Sequence, residues 1–167
     1  MDEPTNLKKW IPRRNESRSG WLFTCGRPGR AEHGTKRIEI GEPTIARWVA
    51  GLPETRPLYI ISLLGCKRDG YSEYSYYPFR SSAEEGEQPS VKQWFDEKYK
   101  GMIAIEEFRT QDMHGIPQHT MEKVTARILD LLASGECVVV MDSAGAERTS
   151  RVCEWIGYVP VTTSHLA

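Results

Sequence analysis

Residues 138–149 carry the side chains best placed to do chemistry: Val138, Val139, Val140, Met141, Asp142, Ser143, Ala144, Gly145, Ala146, Glu147, Arg148 and Thr149. A β-branched run stops at Asp142, small residues follow, and Arg148 and Thr149 stand at the opening of a helix. This order gathers free backbone N–H groups and one guanidinium around a single point. Proteins hold phosphate-like anions in that way. Asp142 occupies the spot where such a loop would carry a nucleophile or no charge. Its carboxylate divides the functional readings.

The elements that must position this loop are legible from periodicity. Residues 137–141 form the most apolar strand candidate, and residues 149–156 form the helix after the loop. Upstream, residues 58–64 are a continuous apolar run stopped by Gly65, which reads as a buried central strand. Residues 102–108 read as another strand. A loop over 111–118 follows, then a helix with Met121, Val124, Ile128, Leu131 and Leu132 on one stripe and Gly135 at its end. Shorter helices are predicted over 42–52, through Ile45, Trp48, Val49 and Leu52, and over 91–99, through Val91, Trp94 and Phe95. Residues 21–24 read as a strand ended by the turn Gly26-Arg27-Pro28-Gly29, and 37–40 as another. Strands alternating with helices imply an α/β domain with a central, mainly parallel sheet flanked by helices.

Residues 21–167 form that single domain, preceded by a basic, loosely ordered arm over 1–20. The arm carries Lys8, Lys9, Arg13, Arg14 and Arg18, a charge pattern for an acidic partner, and Trp10 and Ile11 could pin it to the body. Residues 66–90 hold Tyr71, Tyr74, Tyr76, Tyr77 and Phe79 ahead of an acidic stretch. They read either as a wall beside a cleft or as a surface loop packing its aromatic rings.

The chain resembles the cysteine-dependent protein phosphatases, especially the small dual-specificity type. Their signature, His-Cys-x-x-Gly-x-x-Arg-Ser/Thr, lies between a buried strand and a helix. Gly145, Arg148 and Thr149 match it, whereas Met141 and Asp142 stand at the histidine and cysteine positions. The order of strands, loop and amphipathic helix over residues 20–158 is also the family's order. The resemblance implies a dual-specificity-phosphatase-like fold with a shortened C-terminus. It further implies that Arg148 steadies phosphoryl oxygens and that an upstream aspartate acts as general acid. Asp112 is the candidate for the acid. A register on His114-Gly115-Ile116-Pro117 puts Met113 there instead.

A family enzyme needs a thiolate held by loop dipoles. Without sulfur at position 142 that mechanism is closed, and neither Cys137 nor Cys153 is positioned to replace it. Backbone donors, the helix dipole and Arg148 favour a negative charge at Asp142. The expectation is a built-in anion that fills the loop and pairs with Arg148, with Glu147 adding a second charge nearby. Thr149 is expected to cap the helix.

Two readings follow from the resemblance. One is an inactive or atypical phosphatase-like protein that binds a protein partner, a phosphorylated protein or a small phosphate ligand. The other is an active phosphoric-ester hydrolase using Asp142 as nucleophile, or holding Mg²⁺ with Asp112 or Glu147. A nucleotide binder on an unrelated α/β frame is a third, disfavoured by the missing glycine fingerprints.

Composition bounds these readings. The 167 residues carry a net charge of −1, which gives no reason to expect nucleic acid or a membrane surface. Scattered Cys25, Cys66, Cys137 and Cys153, with no apolar leader, are expected as reduced thiols in a cytoplasmic protein. His114 and His119 lack the further ligands of a metal site, so no metal and no cofactor is expected.

Overall fold

The computed structural model describes residues 3–14, 18–30, 42–65, 91–110 and 115–162. The expected strand over 37–40, the tyrosine-rich segment 66–90 and the acid-loop residues Asp112, Met113 and His114 lie outside the described residues.

The apolar runs become strands and the amphipathic stretches become helices. In chain order they are β1 (Lys8–Pro12), β2 (Trp21–Gly26), α1 (Glu42–Ala50), β3 (Leu58–Ser62), α2 (Val91–Lys98), β4 (Ile103–Glu107), α3 (Gln118–Ala133), β5 (Cys137–Asp142), α4 (Glu147–Trp155) and β6 (Tyr158–Pro160). They build one six-stranded sheet in the order β4-β3-β5-β2-β1-β6. Strands β4, β3, β5 and β2 are parallel, and β1 joins β2 and β6 antiparallel.

Every residue of β5 is buried, as a strand covered on both faces requires. Successive side chains alternate between faces. Cys137, Val139 and Met141 therefore meet Ile45 and Trp48 of α1 and Phe95 of α2. Val138 and Val140 meet Met121, Val124 and Ile128 of α3 and Val152 of α4. Each fully buried aliphatic or aromatic side chain contributes roughly 1.5–3 kcal/mol. Trp48 adds direction to this packing. Its indole N–H donates to the Gly26 carbonyl at 2.9 Å, and its ring meets Phe95 edge-on at 6.1 Å, so α1 is pinned to the carboxyl end of β2.

Three expectations change. Lys8–Pro12, read as part of a loose arm, is a strand inside the sheet. Its inward residue, Trp10, is buried and donates to Thr24 Oγ1 at 2.8 Å, a buried bond that holds β1 on β2. Helix α4 begins at Glu147 rather than at residue 149. The strand expected over 58–64 pairs as far as Ser62, and Leu63 and Leu64 stay buried beyond it. Gly135 follows α3 at φ +78°, in the left-handed conformation a helix end favours.

Strands β2 and β5 and helix α4 place the buried thiols of Cys25, Cys137 and Cys153 in the core. Burial pushes all three up, Cys137 to about 11 and Cys25 and Cys153 further. An unfolded thiol ionises near its usual value of 9.0. Above that pH the unfolded chain binds fewer protons than the folded one, so stability falls as pH rises. The Cys137 contribution is fully present below about pH 9 and lost as pH approaches about 11. The urea midpoint should fall between pH 9 and pH 10.5, and the fall should be shallower in Cys137→Ala. Identical alkaline slopes in the two proteins would remove Cys137 from this account.

Candidate functional site

The carboxyl ends of β2, β3, β4 and β5 share one edge of the sheet, the edge at which α/β sheets present ligand sites. Here β5 runs out at Asp142, and the chain turns through residues 143–146 into α4. The turn depends on Gly145. Its φ is +75°, and a Cβ there would lie 2.3 Å from the Gly26 nitrogen, so the loop rests directly on the end of β2. Asn6 Nδ2 donates to the Ala144 carbonyl at 2.7 Å from the other side.

Asp142 is buried, at 3% exposure. Its Oδ1 accepts a short hydrogen bond from the Gly145 N–H, and its Oδ2 accepts from the Thr149 N–H at 3.0 Å. Ala146 is the N-cap residue of α4 and provides no side-chain cap. The first turn of a helix leaves N–H groups without intrahelical partners, and a carboxylate there is favoured by both hydrogen bonding and the helix dipole. Asp142 therefore caps α4 from the strand side. Thr149, expected as the cap, instead gives its own N–H to Asp142, and its Oγ1 meets the Ala146 carbonyl at 3.4 Å.

Arg148 was expected to pair with Asp142, and its position differs. It is 3% exposed, and its NH1 donates to the Leu63 carbonyl and to Thr110 Oγ1, each at 3.0 Å. Thr110 Oγ1 in turn donates to the same carbonyl at 2.7 Å. The guanidinium thus ties α4 to the segments that follow β3 and β4. Glu147 lies at the rim and pairs outward with Arg151 at 3.1 Å.

Sequence reasoning missed Arg30. It reaches back from beyond β2 to donate to Ser143 Oγ at 2.7 Å. Arg30, Asp142, Ser143, Ala144, Ala146, Glu147 and Arg148 line a cavity of about 240 Å³. The signal in the chain was only the Gly26-Arg27-Pro28-Gly29 turn, which sends the next residue toward the loop.

Among the described residues, the thiol beside the end of β5 is not poised as a nucleophile. Cys25 lies beside Met141 in the sheet and is fully buried, and burial first, then the charges of Asp142 and Glu3, push its thiol well above its usual value. Cys137 and Cys153 are likewise pushed up by burial. Among the described residues no group of three or more His, Cys, Asp or Glu side chains could hold a metal. His119 is exposed on the first turn of α3. No helix among the described residues is long and apolar enough to cross a membrane.

Sheet order, helices on both faces and the strand-loop-helix passage at β5 define a dual-specificity-phosphatase-like fold. Among solved structures, the chain is similar to kinase associated phosphatase carrying a substitution of its catalytic-site cysteine to serine. The TM-score is 0.58 with 14% sequence identity, over 93% of this chain and 74% of that one. No family model and no curated protein sequence matches the chain.

Two substitutions test this geometry. Gly145→Ala should cost at least about 3 kcal/mol in urea unfolding, because it adds a left-handed-backbone penalty to a backbone clash. Asp142→Asn keeps the shape but turns an NH₂ toward one of the two donors, and should cost about 1–3 kcal/mol. A value within about 0.5 kcal/mol of the native protein for either would mean that the loop is not held in this way.

Proposed function

We propose that this chain is a phosphatase-like binding protein, a pseudophosphatase, that engages a partner or a phosphorylated ligand without hydrolysing phosphate esters. One observation carries the reading: the Asp142 carboxylate takes the N–H groups of Gly145 and Thr149. In the reading that puts Asp142 at the cysteine position, an incoming phosphate would need those same donors. It would also meet a fixed negative charge, a repulsion of about 4 kcal/mol per unit charge at roughly 4 Å and an effective dielectric of about 20. Arg148 gives NH1 to Leu63 and Thr110, which further supports a structural use of the signature residues. A carboxylate acting as nucleophile needs a lone pair directed outward, whereas Asp142 is buried with both oxygens on backbone donors.

Turnover of p-nitrophenyl phosphate and of a phosphotyrosine peptide, with and without Mg²⁺, tests the reading. The native protein should be silent under both conditions. Asp142→Gly should bind inorganic phosphate about tenfold or more tightly than the native protein, because a repulsion of this size is removed. Native turnover that requires Mg²⁺ and is abolished by Asp142→Asn would replace the binding reading with the hydrolase one.

A further inference from the structure

A second concavity lies at the edge of the sheet opposite the β5–α4 loop. Strand β1 runs antiparallel to β2, so Arg13 and Arg14 leave it at the end of the molecule away from Asp142. Helix α4 points the same way. Its last residue, Trp155, is about 12 Å along the axis from its first. Arg13, Arg14, Arg18, Trp155, Ile156 and Gly157 line a cavity of about 400 Å³. Among the described residues that line it none is acidic, in contrast to the loop cavity with its Asp142 and Glu147.

The components of this concavity are held for presentation. The Arg13 N–H donates to the Gly157 carbonyl at 2.7 Å, which fixes the exit of β1 against the end of α4. The Arg18 guanidinium lies over the Tyr158 ring, 5.9 Å from its centroid. The side chains of Arg13 and Arg14 are exposed, and among the described residues neither has an ion-pair partner. Trp155 is 60% exposed and lines the same concavity.

We propose that this groove docks a phosphorylated side chain of a partner protein, with the neighbouring residue of that segment resting on Trp155. The proposal rests on the reading of the chain as a binding protein and gives it a partner surface away from the occupied loop. Charge complementarity selects the ligand. The exposed guanidiniums of Arg13 and Arg14 offer more paired donors than one carboxylate can accept, and they suit the several oxygens of a phosphoryl group. Among the described residues the cations of the cavity are arginines, the residue that phospho-motif readers use. They converge on one concavity of side-chain size rather than on a long stripe, and the chain's net charge is −1, which favours a phosphorylated peptide over a nucleic-acid backbone.

The test is an NMR and anisotropy titration of the full chain with a degenerate mixture of phosphoserine and phosphotyrosine peptides. The matched unphosphorylated mixture, heparin and phosphatidylserine vesicles are run in parallel. The phosphopeptides should shift the Trp155 indole N–H. Affinity should fall about tenfold or more both without the phosphate and in the double variant Arg13→Ala/Arg14→Ala, since each removes charge-assisted hydrogen bonds. Urea unfolding of that variant should match the native protein, because both side chains are exposed. Three outcomes overturn the proposal: shifts at Trp155 with heparin or vesicles but not with phosphopeptides, no phosphopeptide binding, or undiminished binding in the double variant with shifts at Ser143 and Gly145. The last result would leave the binding-protein reading standing, and that reading is judged separately by the silence of the native protein toward phosphate esters.

Discussion

The carboxylate of Asp142 joins the end of the central strand to the start of a helix through two backbone N–H groups. Much of the carboxyl edge of the sheet depends on this contact. A strand that is buried along its whole length must end somewhere, and a helix that starts beside it must satisfy its first donors. One side chain meets both needs. Gly145 can then fold flat against Cys25 and Gly26, and that close approach brings the residues after β2, Arg30 included, against the loop.

Around this point several backbone acceptors tie the molecule together among the described residues. Arg148 spans from α4 to the Leu63 carbonyl, and Thr110 reaches the same oxygen. Trp48 reaches the Gly26 carbonyl from α1. Each bond closes a buried acceptor that would otherwise be costly, and each couples a helix or loop to a strand end. The result is a loop braced from several directions. The ion pairs Lys92–Asp96 and Glu147–Arg151 are exposed, and pairs of that kind contribute little.

What could be read from the sequence, and what could not, follows from the range of each interaction. The Val138–Val140 run and the stripe from Met121 to Leu132 are local patterns, and both became the elements they predict. Asp142 was singled out for its place before a helix start, and its carboxylate there accepts from two backbone N–H groups. Its pairing with Arg148 was not found, because the closer donors are backbone groups that no residue type advertises. Arg30 meets Ser143 across 113 positions, and no spacing rule links them. Strand β1 was missed because Lys8, Lys9 and Pro12 read as polar and broken, with one inward residue, Trp10, carrying the burial. Strand β6 is three residues long and ends in proline, too short for alternation to show.

The pairing of β1 with both β2 and β6 has a consequence for how the chain folds. Trp10 faces Pro160, so the outermost strand pair joins segments from near the two ends of the described chain. Contacts of such wide sequence separation slow folding, because the intervening loop must be closed before the pairing is rewarded. During synthesis β1 can settle on β2 early, yet its other edge stays bare until β6 has emerged. For that interval Lys8 and Lys9 stand on an open edge, where lysines discourage pairing with a neighbouring chain. The basic residues that made this segment look like a solvated arm thus also act as guards for a strand that waits for its partner.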